Sequence, residues 1–169
     1  MRHQPPTTAL ALAALLLAPG AGVAQAADAT GTWRNADGDA IIRIADCATA
    51  SGRLCGTVVW LRTPVDPATG GPQTDRNNKD PALRSRPILG LRAIMDMRPS
   101  GTAGKWDGRV YDIDSGKTYD GNLILKGENE LRVQGCVMLV CDGETWTRAA
   151  PPAAQARPSS GMGAAAPSR

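Results

Sequence analysis

The chain has 169 residues, enough for one buried core, and its formal charge of +3 comes from its ends: without Arg2, Arg157 and Arg169 the nineteen basic residues become sixteen, matching sixteen acidic ones. A net-neutral middle offers no basic surface for nucleic acid. The one histidine is His3, in a segment expected to be removed, so the mature chain has no Ser-His-Asp triad and no His-ligated metal site.

Residues 1–26 have the layout of a secretory signal peptide. Arg2 and His3 give a basic start, residues 9–18 an apolar run too short to span a bilayer, and Ala24-Gln25-Ala26 the small residues that a signal peptidase reads. The mature chain is expected to begin at Ala27 and to be periplasmic or secreted. No other stretch is apolar for the ~20 residues that a membrane helix needs, so the protein is not expected to span a membrane.

From residue 30 the pattern is one of short strands and turns, as nineteen Gly, thirteen Pro and 4% aromatic residues with no Phe suggest. Strands are expected over residues 30–34, 40–47, 54–61, 88–97, 105–112, 117–126, 130–137 and 144–148. The fourth is the weakest, broken by Gly90 and Arg92. The seventh alternates most clearly, with Glu130, Arg132 and Gln134 on one face and Leu131 and Val133 on the other. Residues 62–87 form a long polar loop, beyond the ~12 to ~15 residues at which a structureless connection is usually functional or disordered. Residues 150–169 contain seven Ala, four Pro, three Ser and two Gly, which bury too little to offset ordering entropy, so a disordered tail is expected there. The division is signal peptide 1–26, β domain 27–149 and tail 150–169.

Four cysteines in an exported chain imply two disulfides, with three connectivities open. Each sequence-adjacent pair flanks a hairpin-like loop, so Cys47–Cys55 and Cys136–Cys141 are expected. A four-cysteine zinc site does not fit these spacings, and no Cys-x-x-Cys is present for redox chemistry.

Eight strands in hairpin succession form either an up-and-down antiparallel barrel or a β-sandwich. Gly31-Thr32-Trp33 in the first strand and Trp146-Thr147-Arg148 in the last favour the barrel. Closure makes those strands neighbours and allows Arg148 to stack on Trp33. Gly-x-Trp with a terminal-strand Arg resembles the signature of the lipocalin-like calycin barrels.

A wider resemblance runs through Gly31-Thr32-Trp33, residues 37–44, residues 54–61, residues 75–78, residues 83–90, residues 106–112, Gly116-Lys117-Thr118-Tyr119 and Thr145-Trp146-Thr147-Arg148. These segments resemble the DUF2147 family, small exported proteins of Gram-negative bacteria. The resemblance implies a lipocalin-like barrel, export and small-ligand binding, and supplies no catalytic residues. The chain departs from that pattern at Lys79, where Pro is expected, and in its extended tail.

Several motifs invite chemistry and fall short of it. Gly116-Lys117-Thr118 lacks the first Gly of a phosphate loop, since Tyr111 stands in its place. Residues 112–116 resemble the start of a calcium loop, but Leu123 replaces the closing Glu; residues 75–80 put Lys79 at a ligand position. No metal and no cofactor is implied. Two carboxylates drawn from Asp75, Asp80, Asp107, Asp112 and Asp114 could in principle cleave a glycosidic bond without His. The polar loop is expected to be ordered by Asp75 and Asn77, beside one barrel end, with Arg84 and Arg86 offered to an anionic group; the alternatives are that the two are solvated or neutralised by Asp75 and Asp80. Three readings stay open: a periplasmic small-molecule-binding barrel, an envelope interaction or inhibitor protein, and a carboxylate-dependent hydrolase. The first needs a cavity open at one end.

Overall fold

The computed structural model describes residues 28–155, apart from residue 49. The expected signal peptide and the tail beyond residue 155 lie outside the described residues. Short segments bounded by turns make eight strands: β1 Gly31–Arg34, β2 Ala40–Cys47, β3 Ala50–Leu61, β4 Arg92–Pro99, β5 Lys105–Asp112, β6 Lys117–Leu125, β7 Glu130–Val137 and β8 Val140–Arg148. Each pairs antiparallel with the next, and β8 returns to β1, so the sheet closes as an up-and-down barrel rather than a sandwich. Among the described residues the helical structure is one 3-10 turn, Pro81–Leu83, inside the long loop. No described helix is long and apolar enough to cross a membrane.

Strand boundaries differ from the sequence expectation where turns intervene. β4 begins at Arg92 rather than residue 88, because the Leu91 amide turns back to the Ile88 carbonyl and Gly90 adopts φ 91°. The connection from β3 to β4 therefore spans residues 62–91. β8 begins earlier than expected, at Val140, because the hairpin pairing of β7 and β8 runs to Val137↔Val140. The two disulfides join Cys47 to Cys55 and Cys136 to Cys141, each within one hairpin. Past β8, the chain is held as far as Gln155. Its side-chain amide donates to the Leu61 carbonyl and accepts from the Leu61 amide, as a neighbouring strand would.

The two ends of the barrel differ. At one end the chain enters β1 and leaves β8, and the large inward side chains Trp33, Ile44, Met97, Leu123 and Leu131 fill the interior. This end is sealed by Arg148, whose guanidinium lies 4.1 Å from the Trp33 ring centroid. It also donates to the carbonyls of Glu128, Thr30 and Asp28. The Trp33 indole N–H donates to the Ala29 carbonyl at 2.8 Å, fixing the ring that Arg148 covers. Gly31 is required by the same contact. Its φ is +118°, and a Cβ there would meet the Arg148 guanidinium at 2.7 Å.

Only Trp33↔Arg148 and Arg34↔Thr147 pair β1 with β8. Arg148→Ala should therefore destabilise the barrel by about 2 kcal/mol through lost stacking and lost guanidinium hydrogen bonds. Urea unfolding followed by tryptophan fluorescence measures this, and an unchanged midpoint would contradict it.

Candidate functional site

The unsealed half of the barrel is lined by smaller residues. Ala40, Ile42, Val58, Val110, Val133 and Gly135 leave a cavity of about 560 Å³. That volume lies within the ~300 to ~1,000 Å³ typical of small-molecule sites. Tyr119 and Trp146 also border it, with Ile113, Val137 and Val140 toward the mouth. The mouth lies between the β1–β2 turn, the β5–β6 turn and the β7–β8 hairpin. Among the described residues its charged groups are Asp112, Asp114, Asp142 and Glu144, and no lysine, arginine or histidine lines the cavity.

Strand register places these carboxylates. Glu144 and Trp146 are alternate residues of β8 and share its inward face; the Trp146 indole N–H donates to Glu144 Oε1 at 2.6 Å. Glu144 Oε2 accepts from the Ala36 amide at 3.2 Å, which ties the β1–β2 turn to β8 across the seam. Asp112 holds the β5–β6 turn. One oxygen accepts from the amides of Asp114 and Ser115, the other from the Ser115 hydroxyl at 2.6 Å. Asp142 lies 3.9 Å from Arg132.

The hairpin tip beside the mouth is apolar and exposed. Val137, Met138, Leu139 and Val140 follow one another, with Met138 95% and Leu139 99% exposed. Met138 holds φ 55°, uncommon for a side chain of its type. The Cys136–Cys141 bridge closes the base of this tip.

The long loop packs beside the barrel at the same end and is organised around Asp75. That carboxylate is fully buried and has four polar contacts. It accepts from the Tyr111 hydroxyl at 2.6 Å, from Asn78 Nδ2 at 2.8 Å and from Arg86 Nε at 2.8 Å, and pairs with Arg86 Nη2 at 2.8 Å. The Arg86 guanidinium also lies 5.3 Å from the Tyr111 ring centroid. Asn77 donates to the Asp114 carbonyl at 3.0 Å, and the Lys79 amide to the Gly116 carbonyl at 3.3 Å. Gly116 has φ +66°, and a Cβ there would overlap the Asn77 carbonyl, so the loop can seat on this turn only because residue 116 is glycine.

The structure thus brings Asp75, Asn77, Arg84 and Arg86 into one loop but gives them loop-fixing contacts. Arg84 Nε donates to the Asn78 carbonyl at 2.8 Å, Arg86 is engaged by Asp75, and none of the four lines the cavity. Of the five carboxylates weighed for hydrolysis, two share one place. Asp75 is buried, Asp80 caps the 3-10 turn, Asp107 pairs with Lys105 at 3.5 Å, and Asp112 and Asp114 border the mouth. Sequence reasoning missed Glu144, Tyr119 and Val133 as cavity residues. Their signal was the inward alternation along β6, β7 and β8, which becomes informative only once the strand register is known.

The family model of DUF2147, described as uncharacterized protein conserved in bacteria, matches residues 31–148. The chain belongs to the DUF2147 family. No curated protein matches it. Among solved structures it is similar to protein HP1028 from the human pathogen Helicobacter pylori, which is described as belonging to the lipocalin family. The identity is 16%, with 73% of this chain and 84% of that chain covered and a TM-score of 0.58. At that identity the likeness establishes a lipocalin-like fold for this DUF2147 member. Its two disulfides fit an extracytoplasmic protein.

Burial, then the hydrogen bond to Asp75 and that carboxylate's charge, push the Tyr111 hydroxyl above its ordinary pKa. A raised folded-state value means that this stabilisation is fully present below the unfolded tyrosine pKa of about 10 and is lost as pH rises through the folded value. Tyr111→Phe should cost about 1 to 3 kcal/mol at neutral pH, since the buried Asp75 loses a donor. It should also remove part of the stability loss that the unsubstituted protein shows above about pH 10. Denaturation midpoints from pH 7 to 11 check both; parallel curves for the two proteins would contradict the coupling.

Proposed function

We propose that this DUF2147 member is a periplasmic carrier or sensor of a small, largely apolar molecule, held in the open half of the barrel. The observation that carries this reading is the cavity of about 560 Å³, walled by aliphatic and aromatic side chains and backed by the Arg148–Trp33 seal. Barrels of eight strands are just wide enough to be filled by side chains or to hold one small ligand. Here Trp33, Met97, Leu123 and Leu131 fill the sealed end, and the space beside Tyr119 and Trp146 is left for a guest.

Protein recovered from the periplasm, with an intact mass that begins at Ala27, should enhance the fluorescence of an uncharged apolar probe such as N-phenyl-1-naphthylamine. Val133→Phe, which projects an aromatic ring from the cavity wall in place of an isopropyl group, should reduce that binding about tenfold or more while the melting curve stays cooperative. Val58→Phe fills the opposite wall and serves if Val133→Phe fails to fold. Undiminished probe binding in a folded filled variant would place the probe outside the barrel.

A second reading, docking to an envelope partner, is favoured by the exposed tip. Four consecutive apolar residues on a disulfide-closed hairpin make an unusual surface feature for a free monomer. If the tip is a docking element, Met138→Ser with Leu139→Ser should abolish envelope cross-links formed in cells and leave probe binding intact. Retained cross-links would end that reading.

A further inference from the structure

We infer that the cavity takes a cationic amphiphile, an apolar body carrying an amine or quaternary ammonium group that sits at the mouth beside Glu144. The inference rests on the cavity reading above and adds the sign of the guest's charge. The first observation is the asymmetry of the lining. Among the described residues four carboxylates, Asp112, Asp114, Asp142 and Glu144, border the cavity and no basic residue does. An anionic head group, such as that of a fatty acid, would enter a space with like charges at its mouth and no counter-charge inside it, which is costly once water is excluded.

The second observation is where Glu144 lies. It is on the inward face of β8, next to Trp146, which is 5% exposed, and its carboxylate is positioned by the Trp146 indole N–H at 2.6 Å and the Ala36 amide at 3.2 Å. A carboxylate held by two neutral donors keeps its charge uncancelled and retains further acceptor capacity. Of the other three, Asp142 is within reach of Arg132, Asp112 is engaged by its own turn and stands opposite Lys117 across the β5–β6 pair, and Asp114 is exposed to solvent. Glu144 is therefore the charge best placed to receive a cation from the cavity. The third observation is the company it keeps: Trp146 and Tyr119 give the cavity aromatic surface, which favours ammonium groups and the alkyl groups attached to them. The cations nearest the long loop's centre do not compete for the site, since Arg86 pairs with Asp75 and Arg84 donates to the Asn78 carbonyl.

Displacement of bound N-phenyl-1-naphthylamine by amphiphiles of one chain length, all below their micelle concentrations, tests this. Dodecyltrimethylammonium should displace the probe at a concentration about tenfold or more below that needed for dodecyl sulfate or laurate, with neutral dodecyl maltoside between them. Glu144→Gln keeps an acceptor for the Trp146 indole and should shrink the cation-over-anion ratio severalfold while the neutral probe still binds. Equal or reversed potency of the charged amphiphiles, or an unchanged ratio in Glu144→Gln, would overturn the inference and leave the cavity reading standing. Failure of the neutral probe to bind at all would instead overturn the cavity reading itself.

Discussion

Closing the barrel is the constraint from which the other features follow. The seam between β1 and β8 has two paired positions, the fewest of any neighbouring strands in the sheet, against three between β3 and β4 and eight between β7 and β8. So short a ladder leaves the seam dependent on side chains. Arg148 supplies the main one: its planar, always-charged fork reaches three carbonyls and an indole face together, which a lysine ammonium could not do as well. Glu144 reinforces the seam at the opposite end by accepting from Ala36 in the turn that follows β1.

Sealing one end gives the interior its polarity. The chain has few large aromatic residues to fill eight strands, and the bulky aliphatic ones gather where the Trp33 plug already excludes water. Burial there yields the packing and desolvation that hold the fold together. Toward the other end, glycine, alanine and valine face inward beside Ile42, Tyr119 and Trp146, and the space they leave is largely apolar but open. The cavity wall is shared with the core, since Ile42, Val58, Val133 and Trp146 are buried residues that also line the open space.

The long loop shows how a polar segment without regular structure can be firmly placed. Asp75 is a buried charge, which is costly unless it is paired and hydrogen-bonded, and the fold meets that cost with Arg86, Asn78 and Tyr111. Because Tyr111 belongs to β5, this network ties the loop to the barrel wall, and Asn77 ties it to the turn that borders the cavity mouth. The loop therefore shapes the surroundings of the mouth without lending it the positive charge that Arg84 and Arg86 suggested in the sequence. The acidic character of the mouth comes instead from β8 and the β5–β6 turn.

What the sequence determined by itself is what local physics encodes. Alternation along residues 130–137, turn residues at regular spacing, and cysteines flanking hairpin loops specify strands, hairpins and disulfides, because all of these join residues close in the chain. Gly31, Trp33 and Arg148 were legible as a long-range contact because they form a compact motif at the two ends of the strand order. The pairing of Arg86 with Asp75 was legible only as one alternative among several, while the absence of basic residues from the described cavity lining and the position of Glu144 at its mouth were not legible. They depend on which face each strand turns inward once eight registers have closed on one another, and on which of several nearby carboxylates a guanidinium reaches first. Those choices are made by packing between residues far apart in the chain, so only the tertiary structure decides the sign of the charge that a guest would meet.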